Sequence, residues 1–423
     1  MFRRRTLKTA MLFLALFGAW LGFGQSAKGA EEHASAPASR PTPIVRWTAS
    51  RDDMNFRYEA LKNVKTTALF TAAPETGSYN HHPQVVYFKG VLYVSWEHHL
   101  RDENACGQQI LTVRSLDQGK TWTPAQEQFP SLDRMVPASD PYRGTRFQTS
   151  QGFIVVDDTL YAVTDVCDWT ASGRKKGRPR IKIGRLCRSV HADGALGDPL
   201  WLLPEAPQPV EGFPAFPAGA PALVEKINQY FLEIGHEIQI DFSMSPHPVS
   251  DDNHRMSEPA APWRLPDGGW VKIYRDNGSA DEESVEEAQG SKSQRNYAAF
   301  TFDDGKTWTV PTRTNFPDAS SHAAAGRLPD GQIYVISNIL PMATDDGGRF
   351  LLAISLSRDG LNFDRTAVIR AVPPPIRYEG RSKDIGYQYP HATVAGPDLW
   401  VVYSVNKEDI EIARIPLSDL EKL

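Results

Sequence analysis

The sequence predicts an all-β fold assembled from repeated strand units, on three observations. From about residue 80 the chain reads as short segments rich in Val, Ile, Tyr, Phe and Trp, punctuated by Gly, Pro, Asp and Asn turns. Helix signals are scarce. One eight-residue pattern, [ST]-x-D-x-G-K-T-W, occurs twice, at Ser115–Trp122 and Thr301–Trp308.

Composition sets the frame for that reading. The 423 residues are 41% hydrophobic and 23% charged, with a formal net charge of −5, the balance of a folded water-exposed chain. Nucleic acid is not an expected partner, because the one basic run, Arg174 to Lys182, is short and lies between two strand-like segments, where it reads as a solvated hairpin loop. At the N-terminus Arg3, Arg4, Arg5 and Lys8 precede the apolar run Met11 to Phe23, which is too short and one-sided to span a membrane and reads as an export signal. The arginines also resemble a twin-arginine signal. Small residues from Ala27 to Ala36 offer cleavage positions, so residues 1–36 are expected to be signal and flexible tether, with no membrane span after removal and a periplasmic or secreted destination. In that oxidising setting three cysteines allow at most one internal disulfide. Cys167 and Cys187 flank a strand-loop-strand stretch and are the pair to consider, with Cys106 left over as a structural thiol.

The organisation along the chain follows from the repeat. A shortened third copy lies at Ser357–Phe363, and Ser189 to Gly194 is a degenerate trace of a fourth. Serine or threonine and aspartate side chains satisfy turn backbone groups, glycine takes a positive φ, and tryptophan packs between sheets, so the motif is structural. Each copy closes a unit of strand, turn and strand, as in Tyr87–Tyr93, Leu265–Gly268 and Leu328–Tyr334. Six units begin near residues 80, 147, 215, 258, 322 and 386, with Ile44 to Phe70 supplying a closing strand to the last, as a ring without exposed edges requires. The expectation is one six-bladed β-propeller over residues 44–423. Ala220 to Phe231 is the one connecting helix, and Asp281 to Gly290 an acidic surface loop.

These turns resemble the Asp-boxes (BNR repeats) of the sialidase superfamily, whose members are six-bladed propellers. The resemblance implies an exo-α-sialidase-type glycosidase: cations for a substrate carboxylate, a tyrosine nucleophile assisted by a glutamate, and a carboxylate acid/base. Ser257-Glu258-Pro259 followed by Tyr274-Arg275-Asp276 looks like the blade carrying the assisting Glu and one binding Arg, which implies Glu258 and Arg275; a surface ion pair beside a hairpin is the plain alternative. Arg349, ahead of the third box, matches a second binding arginine. The stretch Tyr387-Gln-Tyr389-Pro-His391 is similar to the nucleophile-bearing blade, so Tyr389 or Tyr387 takes that role, though a strand tyrosine is as often a packed ring. In the loop Glu97 to Glu103, Asp102 or Glu103 stands where the acid/base belongs.

The departure is in the first blade, where the family's arginine motif is replaced by Tyr79-Asn80-His81-His82-Pro83. Arg101 is then the residue to compensate, and His81, His82, His98 and His391 become candidates for the site. No ligand spacing of a known metal site accompanies these histidines, so neither a metal nor another cofactor is expected. Three readings stay open: a sialidase-like hydrolase on an acidic or modified glycan; a propeller lyase or His-dependent glycosidase on uronic-acid glycans; and a non-catalytic glycan-binding propeller. In each the partner is a glycan, and a monomer is expected.

Overall fold

The structure is a computed structural model that describes residues 42–49, 58–133, 146–168, 181–202, 215–234, 248–282, 290–339 and 348–423. The N-terminal signal, most of the basic run and most of the acidic insertion lie outside the described residues. Thr42–Leu423 forms one compact unit.

Three short strands precede the blades: β1 (Arg46–Trp47), β2 (Glu59–Ala60) and β3 (Lys65–Phe70). The first blade is an antiparallel meander of β4 (Tyr79–Phe88), β5 (Val91–His99), β6 (Gln109–Ser115) and β7 (Gln126–Phe129). A second follows with β8 (Arg146–Val156), β9 (Thr159–Asp168), β10 (Ile181–Val190) and β11 (Leu200–Trp201). After helix α1 (Pro221–Leu232) comes a blade whose inner strand is split into β12 (His254–Ser257) and β13 (Trp263–Arg264), both paired to β14 (Trp270–Ser279), then β15 (Arg295–Thr301) and β16 (Thr312–Pro317). The next is β17 (Ala324–Arg327), β18 (Ile333–Asn338), β19 (Leu352–Ser357) and β20 (Asn362–Arg370). The last is β21 (Tyr387–Ala395), β22 (Asp398–Val405) and β23 (Asp409–Pro416), before the short α2 (Leu417–Leu420).

Two expectations are corrected. Among the described residues there are five blades, not six: the stretch near residue 215 holds α1, whose Ile227 packs with Ile154, Val163 and Cys187 of the second blade, where strands are expected. A proline at its first position, whose missing N–H costs nothing there, starts the helix. Residues 44–70 also do more than close the last blade. Strand β3 does pair with β23 and seal the ring, but β1 and β2 run parallel to β20 on the preceding blade.

The core lies between blades rather than within one sheet. One cluster joins the β17–β20 and β21–β23 sheets, and another joins β4–β6 to β22 and β23 through Trp96, Val402 and Ile412. Sandwiching on both faces explains why β22, Asp-Leu-Trp-Val-Val-Tyr-Ser-Val, is buried at every position and shows no alternation. Among the described residues no helix is long and apolar enough to cross a membrane.

The repeated turns carry the chemistry expected of them. Asp117 Oδ1 accepts from Ser115 Oγ and Thr121 N, both at 2.9 Å, and Ser115 Oγ accepts from Gly119 N at 2.8 Å. Asp303 and Asp359 repeat the pattern with Thr301, Thr307 and Ser357. A Cβ on Gly119 (φ +75) would collide with the Trp400 ring of the adjoining blade, so glycine is needed there for contact as well as for conformation. A further turn of this kind, unmarked by the full motif, is Ser250–His254: Ser250 Oγ donates to Asp252 Oδ1 at 2.6 Å and accepts from His254 N at 2.8 Å, while Asn253 (φ +65) replaces the glycine. The trace at Ser189–Gly194 is built differently, with Ser189 Oγ against His191 Nε2 at 3.4 Å.

All three cysteines are buried thiols. Cys167 faces Lys182 and Cys187 faces Val163 across the β9–β10 ladder, four positions apart. That offset of about 13 Å along the strands is outside disulfide reach.

Candidate active site

The inner strands share one irregularity, and it builds the site. In β4 the pairing with β5 skips from His81 to Gln84, in β8 with β9 from Ser150 to Phe153, and in β21 with β22 from Gln388 to His391. Each is a one-residue bulge holding a residue with positive φ: His82 (48°), Gly152 (75°) and Tyr389 (52°). In the third blade the inner strand breaks at Glu258 (46°), and in the fourth Ser320 (51°) stands just ahead of β17. Left-handed backbone in a non-glycine residue costs about 1–2 kcal/mol, and bulges re-aim the side chains they carry. His82, Glu258 and Tyr389 are each followed by proline.

Three of these residues, with neighbours, meet around the Tyr389 phenol. The phenol donates to Glu258 Oε1 at 3.3 Å and accepts from Arg275 Nη1, which also donates to Glu258 Oε2 at 2.7 Å. Arg349 lies over the Tyr389 ring with Cζ at 5.5 Å from its centroid, and its Nη1 donates to Asp384 Oδ2 at 3.2 Å and Gln388 Oε1 at 2.8 Å. The rings of His81, His82 and His322 stand at 4.3, 4.5 and 5.7 Å from that of Tyr389.

Charge states follow from burial and pairing. Burial, reinforced by Glu258 and opposed by Arg275 and Arg349, pushes the Tyr389 phenol above its ordinary value, so it is protonated at neutral pH. Burial also acts to raise the Glu258 carboxyl, but the facing Arg275 overrides it and holds Glu258 well below the usual carboxylate range. Burial lowers His82 and His322 to about 4 and His81 well below the ordinary imidazole value, so all three imidazoles are neutral at pH 7. The arrangement is therefore a neutral phenol, a carboxylate placed to accept its proton, and two guanidinium groups.

On the β4 side, Glu103 enters from the loop between β5 and β6. Its Oε2 accepts from Lys407 Nζ at 2.7 Å and its Oε1 is 4.0 Å from His82 Nε2. Burial works to raise the Glu103 carboxyl and Lys407 overcomes it, leaving it lowered.

Thus Tyr389, Glu258, Arg275, Arg349, His81, His82 and Glu103 are brought together, and the other candidates stand apart. Tyr387 belongs to the core, its hydroxyl donating to the Ala371 and Val372 carbonyl oxygens at 3.2 and 3.3 Å. Asp102 is buried, and its Oδ1 accepts from Arg381 N at 2.6 Å. Arg101 is exposed and points to Glu379, 3.8 Å away, so it does not take up the place of the absent first arginine. His98 Nδ1 bonds Asn80 Oδ1 at 2.9 Å beside Phe70. His391 Nδ1 accepts from Val85 N at 3.4 Å, tying β21 to β4.

Lys407 and Asp318 escape a reading of the sequence. Lys407 sits in the Asn406-Lys407 turn between β22 and β23, both residues with positive φ, and looks like ordinary hairpin chemistry. Asp318 lies in the polar run before Ser320; it is fully buried, and its Oδ2 accepts from Ser321 N at 3.2 Å while Oδ1 has no partner. Burial raises it to about 7 against the pull of Ser321 N–H, Arg275 and Arg349. Its folded value lies above the unfolded one, so the contribution of Asp318 to stability is full below about pH 4 and is lost as pH rises to about 7. Asp318→Asn is expected to abolish that slope and to unfold at higher urea than wild type at pH 7.5, a difference that shrinks at pH 4.5; parallel curves for the two proteins would refute the assignment.

A family model described as a BNR repeat-like domain matches residues 284–401. Among solved structures, one titled "Sialidase" aligns with TM-score 0.65 and 22% identity over 88% of this chain and 35% of its own. Trypanosoma rangeli sialidase in complex with sialic acid aligns with TM-score 0.51 and 13% identity over 86% of this chain and 61% of its own. The same enzyme with 2,3-difluorosialic acid, titled as a covalent intermediate, gives 0.51 and 12% over 86% and 60%. The chain thus spans less than two thirds of the length of these proteins. No curated protein sequence matches it. Fold, repeats and neighbours agree: this chain has the sialidase-like β-propeller fold.

Proposed function

We propose that the chain is an exported glycoside hydrolase of sialidase type that acts on a glycan bearing an anionic group. The observation that carries this reading is the Tyr389 phenol held between Glu258 and Arg275 with Arg349 over its ring. A neutral phenol meets no repulsion from an anionic sugar held by two guanidinium groups, and Glu258 is positioned to take its proton as the oxygen attacks the anomeric carbon. The bond to the departing oxygen breaks as the new bond forms, and that oxygen takes a proton from the His82–Glu103 couple, which has first taken up one proton from solvent as the substrate anion enters and raises its proton affinity. Water, deprotonated by the same couple, displaces Tyr389 from the sugar, and Glu258 returns the phenolic proton. The basic and then apolar N-terminus supports export.

A second reading has an observation of its own. Three neutral imidazoles crowd Tyr389, and a neutral histidine is the base that a uronate lyase needs. Purified protein should be offered a fluorogenic sialoside beside uronic-acid polysaccharides, together with 2,3-difluorosialic acid. Release of free sugar, with a mass increment on the Tyr389 peptide from the fluorinated probe, is the expected result. An unsaturated uronate product would replace it with the lyase, and inertness toward all of them would favour a binding propeller.

A further inference from the structure

We propose that His81, His82 and Glu103 form a binding site for a divalent d-block cation, Zn²⁺ being the ion their chemistry fits. One ligand atom from each lies within 4.8 Å of the others. Two imidazoles and a carboxylate are a donor set that zinc takes readily, leaving a coordination position open.

The decisive detail is at His81. Its Nδ1 is 2.7 Å from Ser404 Oγ, which also reaches the Gln388 carbonyl at 3.4 Å. With the hydroxyl hydrogen on that carbonyl, Nδ1–H is the donor and Nε2 is the nitrogen left to ligate. That Nε2 is fully buried and has no hydrogen-bond partner, a loss the fold accepts without compensation unless something binds there. A hydrogen bond to the far nitrogen is also how metal-binding histidines are oriented. Glu103 shows the corresponding feature: Lys407 occupies Oε2, which leaves Oε1 toward His82.

Neighbouring positive charge does not forbid the ion. Lys407, Arg275 and Arg349 are each paired with a carboxylate, of Glu103, Glu258 and Asp384 respectively, and Glu103 serves both Lys407, through Oε2, and the ion, through Oε1. Tetrahedral bonds of about 2.0–2.1 Å set ligand atoms roughly 3.4 Å apart, so the three must draw in by about 1 Å. Strand β4 carries no arginine, and a cation here would supply positive charge on that flank of Tyr389.

The test is titration of the chelator-treated full chain with Co²⁺, followed by visible absorption, and Zn²⁺ by calorimetry. One equivalent with an intensified four-coordinate cobalt spectrum is expected, weakened at least about 100-fold in Glu103→Gln and His81→Gln but retained in Tyr389→Phe and His98→Gln. The spectrum of the free aquo ion in wild type, or equal binding in Glu103→Gln, would overturn the proposal; because Glu103 is on a loop, its variant decides even if His81→Gln fails to fold. Binding is read without turnover, so its outcome stands apart from that of the hydrolase reading, whose proton transfers through His82 and Glu103 belong to the metal-free site.

Discussion

Tyr389→Phe is expected to lower kcat by about 10³-fold or more for the proposed glycoside hydrolysis, with the fold intact. The substitution removes one oxygen. The ring that His81, His82, His322 and Arg349 pack against remains, and so does the 2.7 Å bond between Arg275 and Glu258. Thermal unfolding should therefore shift little while the chemical step disappears, and the fluorinated probe should leave no mass increment. Glu258→Gln should follow with a smaller loss, since it keeps a hydrogen-bond acceptor for the phenol but removes the base. A Tyr389→Phe protein that turns over at the wild-type rate would remove tyrosine from the reaction and leave the histidines as the groups to examine.

The largest loss of stability is expected from Trp96→Ala, at about 3–5 kcal/mol in urea-midpoint measurements. Trp96 is fully buried on β5 and sits where three parts of the ring meet. Its Nε1 donates to Asn80 Oδ1 on β4 at 3.0 Å, its ring lies 5.6 Å from that of Phe70 on the closing strand β3, and its cluster includes Val402 and Ile412 of the last blade. Truncation leaves a cavity at the seam where the N-terminal strand completes the C-terminal blade. Trp96→Phe should cost less, because most of the volume stays. A loss under about 1 kcal/mol for the alanine variant would show that the seam relaxes into the space.

The contrast between what could and could not be read in the chain follows from how local each feature is. The Asp-box turns are legible because every bond in them spans at most four residues, as between Ser115 and Gly119. The turn at Ser250 is the same object without the Gly-Lys-Thr-Trp signature, so only its bonds reveal it. Helix α1 was visible to within a residue, yet the blade expected around it was not there, since apolar, proline-punctuated sequence near 215 satisfies a strand reading and a helix-flanking one equally. Glu258, Arg275, Arg349 and Tyr389 could be picked out by resemblance, whereas choosing Tyr389 over Tyr387 depends on which side of the strand each faces, and one bulge residue reverses that. Between Asp102 and Glu103, two adjacent carboxylates, the loop's path decides. Lys407 gave no signal, because Glu103, its partner in the site, is 304 positions away in sequence.

The recurrent bulge has a consequence for how such a protein changes. Positions 82, 152, 258, 320 and 389 are five supports of one kind, one in each blade, each held with positive φ whatever residue stands there. Histidine, glycine, glutamate, serine and tyrosine occupy them here, five side chains of unrelated chemistry on one repeated support. Exchanging an occupant changes the chemistry offered at that position while the repeated backbone support stays the same.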